Sequence, residues 1–431
     1  MLETLRNAWR IRDLRNKMIF TLFILLVYRF GANIVVPFID STVLSQLFSS
    51  QLSNTMLGLI DMMSGGSFSQ ATVFALSIQP YINASIIMQL LTVGIPALER
   101  LQKEGGEEGR KKIAAITRYA TVALGLLMGF SYYMLLRNQP IQMADGSTAY
   151  AVSDHSFFTA SIIILTFTAG SAFIMWLGEQ VTEFGIGNGI SIILFASIVS
   201  RGPNAIGRII LQITQGQLSW IFVPLILIGM AAVVAFVVFI TNAERRIPVQ
   251  YAKRVVGRKM YGGQSTYLPL KVNMSGVMPI IFASSITAFP STIAAFFGAG
   301  DKLSWFGSQS VLYNVVYFLL IIAFSYFYTS VQFNPIEVSN NLKQNGGSIP
   351  GFRQGKPTAD FIRKVLYKVT LFGAIFLGVI AVMPAVMGIA FPNLNLALGG
   401  TSLLIVVGVA LETVKAIESQ MLMRHYKGFL E

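Results

Sequence analysis

Asn83, Ser85 and Gln89 stand, with Pro80, inside the apolar run 76–96, LSIQPYINASIIMQLLTVGIP. A second apolar run, 276–290 (GVMPIIFASSITAFP), carries Ser284, Ser285 and Thr287. Hydroxyls and amides in such surroundings exchange hydrogen bonds between helices, each worth about 0.6–2 kcal/mol. Bonds of that strength suit a seam that must open, and they suit permanent packing equally well. Both readings stand at this point.

Chemistry in the catalytic sense is not expected. The chain has no cysteine, which removes disulfides, thiolate metal sites and thiol nucleophiles, and its two histidines, His155 and His425, cannot build a histidine-rich metal or triad site. P-loop, G-x-S-x-G and H-E-x-x-H patterns are missing. The run GIGNG at 185–189 has no strand before it and an apolar helix after it, so it is no nucleotide turn. The central apolar runs hold no Asp or Glu near the midplane for a proton or sodium relay, and Arg29, near the outer end of the first run, can snorkel. The expectation is a protein that is not an enzyme, with no cofactor and no metal.

What must position the polar residues is a set of membrane helices. Hydrophobic residues make up 54% of the 431 and charged ones 12%, against about 25% charge in soluble domains. The sequence predicts an all-α integral membrane protein with ten spans, at 18–36, 72–93, 113–136, 156–176, 188–201, 218–240, 273–293, 311–330, 366–388 and 396–416. Pro and Gly inside several of them predict broken or kinked helices buried in protein. Basic loops alternate with loops nearly free of Lys and Arg: residues 1–17 hold five, 37–70 none, 94–112 five, 242–272 seven and 331–365 five. Positive loops mark the cytoplasmic side, so both termini are expected there; 177–187 has no Lys or Arg and gives no help. No cleavable leader is expected, because the apolar run after the basic start leads into further spans without a clear cleavage site.

The two polar runs are related. Pro80, Ile82, Ala84 and Ser85 match Pro279, Ile281, Ala283 and Ser284, and GISIIL at 189–194 matches GTSLLI at 400–405. Span two thus matches span seven, and five matches ten. An odd offset of five reverses direction across the membrane, which makes an inverted-topology repeat with its working path between the halves. Ile78 and Ile82 lie one turn apart, as do Ile190 and Leu194, and the repeat adds Ile281 and Ile405. Facing one axis, these six would form a narrow aliphatic ring that closes by dewetting; taken singly, isoleucines in membrane helices also simply face lipid.

Two further features bear on function. Residues 57–69, LGLIDMMSGGSFS, are too short to span and are broken by Ser64, Gly65 and Gly66. A tight bend there would turn Asp61, Met62, Met63, Ser64, Gly65 and Gly66 back into a cavity as a movable stopper, or leave them as a surface loop. The long basic loops, with Lys253, Arg254, Arg258, Lys259, Arg353 and Lys356, read as docking surfaces for an acidic partner such as RNA-rich machinery; setting topology alone would explain their charge but not their length. A small-solute transporter with inverted repeats is the alternative, but it would need polar groups where this chain places aliphatic ones.

Long stretches also carry a family resemblance: SIQPYINASIIMQLL (77–91), WLGEQVTEFGIGNGISII (176–193), QSTYLPLKVNMSGVMP (264–279), FNPIEVSNNLKQNGG (333–347) and GGTSLLIVV (399–407). Over essentially its whole length the chain resembles the SecY family, channel subunits of the bacterial Sec protein translocase. The resemblance implies two clamshell halves, 1–215 (helices 1–5, with a plug at about 55–70) and 216–431 (helices 6–10), around an hourglass pore for unfolded polypeptide. The family's pore-ring positions fall on the six aliphatic residues, its plug around Ser64–Gly66, its lateral gate between spans two and seven, and its docking loops on 242–272 and 331–365. Its sensitive arginine matches Arg353. It further implies the small membrane subunits SecE and SecG, the motor ATPase SecA, the ribosome, signal peptides, nascent chains and anionic lipid as partners, in the bacterial plasma (inner) membrane. Phe184, where the family often has a basic residue, and Gln354, where a proline often stands, depart from its pattern.

Overall fold

The computed structural model describes residues 2–48, 56–138, 141–142, 148–152, 154, 156–215, 222–251, 254–256, 259–261, 265–296, 310–390 and 400–427. Helices make up most of it. The first half holds α1 (Leu2–Arg10), α2 (Arg12–Gly31), α3 (Ser41–Leu47), α4 (Met56–Met63), α5 (Gln79–Gly94), α6 (Pro96–Lys103), α7 (Gly106–Asn138), α8 (Phe157–Phe184), α9 (Gly189–Val199) and α10 (Gly202–Thr214). The second holds α11 (Phe222–Asn242), α12 (Met278–Phe296), α13 (Val311–Gln332), α14 (Pro335–Gln344), α15 (Lys356–Ala390) and α16 (Gly400–Lys427).

A helix lies within each of the ten apolar stretches. Among the described residues four stretches are helical, long and apolar enough to cross a bilayer by themselves: Gly106–Asn138, Phe157–Phe184, Val311–Gln344 and Lys356–Met383. The pair α5 and α6 would make a fifth, bent by 104°. The bend has a local cause. Ile95 is extended (φ −109°, ψ 112°) because the ring of Pro96 excludes it from helical geometry.

Span two was expected to be helical from residue 72, but α5 begins only at Gln79, and residues 64–71 and 73–78 run in turns. Ala71 (φ 46°) and Ser77 (φ 51°) adopt left-handed backbone that no helix contains. Pro80 then opens α5, where its missing N–H costs nothing. Side-chain caps fix other starts: Asn188 accepts from Ile190 N (3.1 Å) at α9, and Asn334 from Ile336 N (3.1 Å) at α14. Asp40 caps α3, and hydrogen bonds from the Thr42 hydroxyl and N–H hold its carboxyl below the usual carboxylate range.

The strands are few. β1 (Ile141–Gln142) pairs with β2 (Thr148–Ala149), and β4 (Arg254–Val256) with β5 (Lys259–Tyr261). A three-stranded antiparallel sheet has β3 (Glu244–Tyr251) at its centre, flanked by β6 (Ser265–Lys271) and β7 (Gly347–Ser348). The two long basic loops are therefore one structure, with Ile247, Val249, Leu270, Ile349 and Ile362 as its own small core.

Candidate functional site

Ile78 (0% exposed), Ile82, Leu194, Ile281 and Ile405 are buried in a single cluster, with Ile190 packed against it. Four elements deliver them. Ile78 caps α5 and accepts the first helical bond from Ile82 N (3.1 Å), so the two stack one turn apart. Asn188 starts α9 so that Ile190 and Leu194 repeat the arrangement. The backbone at Gly189 is held to α8 by a bond to the Thr182 hydroxyl (2.9 Å). Ile281 and Ile405 come from α12 and α16, in the other half. Gly178 of α8 marks the meeting point, since a Cβ there would touch Ile190, Ile193 and Ile78 at 3.5–3.6 Å.

The backbone reverses direction after α4. α4 ends at Met63, and Gly65 (φ 71°) and Gly66 (φ 92°) make the reversal in a backbone region that side chains avoid. Space matters as much. A Cβ on Gly65 would stand 2.8 Å from Ser197 O, and one on Gly66 3.3 Å from the Arg201 guanidinium. Asp61 is buried and ion-paired with Arg201, while its other carboxylate oxygen accepts from Ser69 N (2.7 Å). The Ser64 hydroxyl donates to Asp61 O (2.9 Å) and accepts from Phe68 N (3.1 Å), and the Tyr132 hydroxyl donates to Phe68 O. Met63 takes a weak contact from the Gln79 amide (3.5 Å to Sδ) and packs on the aliphatic cluster. Leu57 and Ile60 pack on a second cluster around Leu44, Phe68 and Leu136. The segment is thus wedged between two apolar bodies and tied to the α9–α10 break. The Met62 side chain lies outside the described residues.

Sequence reasoning did not anticipate Arg201 or Tyr132 here. A signal existed: Asp61 is an acid in an apolar segment, and burying it demands a cation. Arg201 was one of very few positive charges on the side expected to share it.

Among the described residues, the polar groups of the expected seam make no hydrogen bond between α5 and α12. Their hydrogen bonds run within their own helices or to a third helix. Asn83 faces Met128 of α7 (3.8 Å to Sδ), and Gln89 reaches back to Ser85 (3.4 Å). Ser284 donates to Ile281 O (2.8 Å), and the Thr287 hydroxyl sits 3.1 Å from that of Tyr313 on α13. Ser285 Oγ is buried with no hydrogen-bond partner among the described residues. The reason is rotational: α12 turns Thr287 toward α13 and Ser284 toward its own backbone, although it also touches α5.

Of the docking residues, Lys253 and Arg258 lie outside the described residues, as does the histidine at 155. Arg254 and Lys259 belong to the β4–β5 hairpin. Arg353 and Lys356 are exposed. The turn that carries Arg353 is held by the Thr358 hydroxyl donating to Arg353 O (2.8 Å) and the Gln354 amide donating to Gly347 O (3.1 Å). Gln354 therefore ties that turn to β7. Phe184, half exposed, sits edge-on to Phe20 (6.3 Å).

The chain has relatives among known proteins. The SecY family profile matches residues 72–414. The chain is 46% identical over 439 residues to the protein translocase subunit SecY of Streptomyces galbus, covering 100% of both chains. Its fold is similar to a protein-conducting channel (TM-score 0.66, 19% identity, 94% of this chain and 92% of that one). It is similar as well to Sec61 in a canine ribosome–channel complex from the endoplasmic reticulum (TM-score 0.62, 18% identity, again 94% and 92%).

Proposed function

The chain belongs to the SecY family, and from that premise we propose how it works as the protein-conducting channel of a translocase. Unfolded secretory polypeptide passes along the axis lined by Ile78, Ile82, Ile190, Leu194, Ile281 and Ile405. The convergence of these residues from both halves on one buried apolar cluster carries the reading. Apolar side chains part without breaking strong bonds and close by expelling water, so the constriction seals around nothing and yields to a chain. The segment 61–66 is the stopper beneath which that seal forms. The small-solute transporter reading is set aside.

The finer picture is ten spans in two inverted halves, 1–215 and 216–431, in a bacterial plasma membrane with both termini cytoplasmic. Hydrophobic segments leave sideways between α5 and α12. Each Leu, Ile, Phe or Val in such a segment favours the bilayer by about 0.3–0.6 kcal/mol, and an opening seam lets that sum decide exit against passage. The seam along Asn83, Ser85, Gln89, Ser284, Ser285 and Thr287 is held by contact rather than by cross-bonds, which suits reversible opening. Arg353, Lys356 and the β4–β5 hairpin dock the ribosome or the motor ATPase SecA, which supplies the driving force; SecE and SecG clasp the halves.

The chain has no cysteine, which makes the test direct. A single cysteine at Ile82, or separately at Ile281, is oxidised against a secretory protein that carries one cysteine and is stalled midway through vesicles. A disulfide from both, absent from a lipid-facing control, is the expected result. Neither forming while translocation proceeds would put the path elsewhere.

A further inference from the structure

Glu412 is the single charge that α16 carries between Gly400 and Val414. Acids set in an apolar helix face a bundle interior or a water-filled cavity, and they mark functional positions. Among the described residues of α16 from 402 to 417, Glu412 alone is exposed. Seven positions separate it from Ile405, two helical turns to within about 20°, so both leave the helix on one face, about 10.5 Å apart along it. Ile405 faces the aliphatic cluster. Water therefore reaches this face of α16 two turns beyond the cluster.

Two contacts join the same face to the start of α12. A Cβ on Gly408 would stand 2.5 Å from Val277 Cγ1, so the backbone of α16 and the approach to α12 are pressed together there. One turn on, Glu412 Oε1 lies over Gly276, 2.6 Å from where a Cβ would be. Gly276 (φ 61°) makes the turn into α12, and Val277 O accepts from Ile281 N (3.3 Å) in the first turn of that helix. Whatever fixes residues 276 and 277 thus fixes the level at which Ile281 enters the cluster. The carboxylate is itself held, since Lys415 on α16 and Lys271 at the end of β6 both act on it electrostatically. A negative group is also favoured at a helix N-terminus.

We propose that Glu412 is a positioning residue of the pore. Its carboxylate, seated over Gly276, sets the start of α12 against α16 and so sets Ile281 relative to Ile405. The consequence for sealing rests on the reading of the aliphatic cluster as the constriction; the positioning itself does not.

The test uses the full chain, which has no cysteine of its own. Nitroxides on Ser284→Cys of α12 and Leu422→Cys of α16 report the distance between the two helices by double electron–electron resonance in the purified protein. Planar bilayers report resting ion conductance. Glu412→Gln keeps the shape of the side chain and removes its charge; it should shift or broaden the distance distribution and raise conductance several-fold. Glu412→Ala and Gly276→Ala should each do the same. Combined, the two alanines should disturb the distance less than their single effects added, because the methyl enters the space that the carboxylate leaves. Glu418→Gln, further along α16, should change neither readout. Parent-like distances in both Glu412 variants would overturn the assignment and leave Gly408 against Val277 as the whole joint. Strict additivity of the two alanines would overturn it as well. A changed distance in a channel that stays tight would instead overturn the cluster as the seal and uphold the positioning role of Glu412.

Discussion

Asp61 and Arg201 lie 140 positions apart in the chain and form an ion pair that fastens the segment after α4 to the break between α9 and α10. Asp61 is almost wholly enclosed, its side chain 7% exposed, and Arg201 is 28% exposed. Removing either partner leaves an enclosed charge without a counter-charge. For a pair that water partly reaches, the cost is about 1–3 kcal/mol. Asp61→Asn and Arg201→Gln should each release the segment and raise ion conductance of the resting protein in planar bilayers. The exchanged pair, Asp61→Arg with Arg201→Asp, should recover part of the seal. Single variants as tight as the parent would show that packing alone holds the segment.

Gly178 tests the convergence of the aliphatic residues. A methyl there meets its neighbours at ordinary contact distance, so Gly178→Ala should leave thermal stability within about 1 kcal/mol. Gly178→Leu drives three more carbons into Ile78, Ile190 and Ile193, at a cost of about 1–3 kcal/mol. A drop in the unfolding midpoint for leucine but not alanine is expected; equal midpoints would mean the cluster has slack.

Ser77 holds a left-handed backbone immediately before Ile78. Such a conformation costs about 1–3 kcal/mol for a residue with a side chain. Ser77→Gly should therefore be tolerated, whereas Ser77→Val, branched at Cβ, should lose stability on the same scale. Thermal unfolding followed by size-exclusion fluorescence reads both. A valine variant as stable as the glycine one would mean that the turn re-forms differently.

Gln354 holds the Arg353 turn to β7 through a bond to Gly347 O (3.1 Å). A single neutral hydrogen bond contributes about 1 kcal/mol. Gln354→Ala should open the turn about fivefold more often and raise trypsin cleavage after Arg353 in proportion. An unchanged cleavage rate would mean that the remaining bonds of the turn, Thr358 to Arg353 O and Ser339 to Gly355 O among them, hold it without Gln354.

Much of this was legible in the residues. The repeat joining Ile82 to Ile281 and Leu194 to Ile405 picked out the aliphatic set because branched apolar residues at matched positions carry a periodic signal. The Ser64-Gly65-Gly66 reversal was legible because only glycine relieves that backbone. The start of α5 was not, since the turns before Gln79 are as apolar as the helix and periodicity cannot separate them. The partner of Asp61 was also hidden, because an ion pair across 140 residues has no local pattern. The orientation of Ser284, Ser285 and Thr287 depended on the rotation of α12 against α13, which their polarity does not encode. Nor did the two basic loops announce that β3 and β7 would pair.

That pairing has a mechanical meaning. β3 continues from the end of α11, β6 runs into the approach to α12, and β7 sits between α14 and the Arg353 turn. A partner that grips the turn at Arg353 does not tug on a slack tether. Through Gln250 against Ser348 and Tyr251 against Gly347 the load passes into a stiff plate bolted to two helices at once. From that plate only six residues, 272–277, separate β6 from α12, the helix that carries Ile281 into the aliphatic cluster.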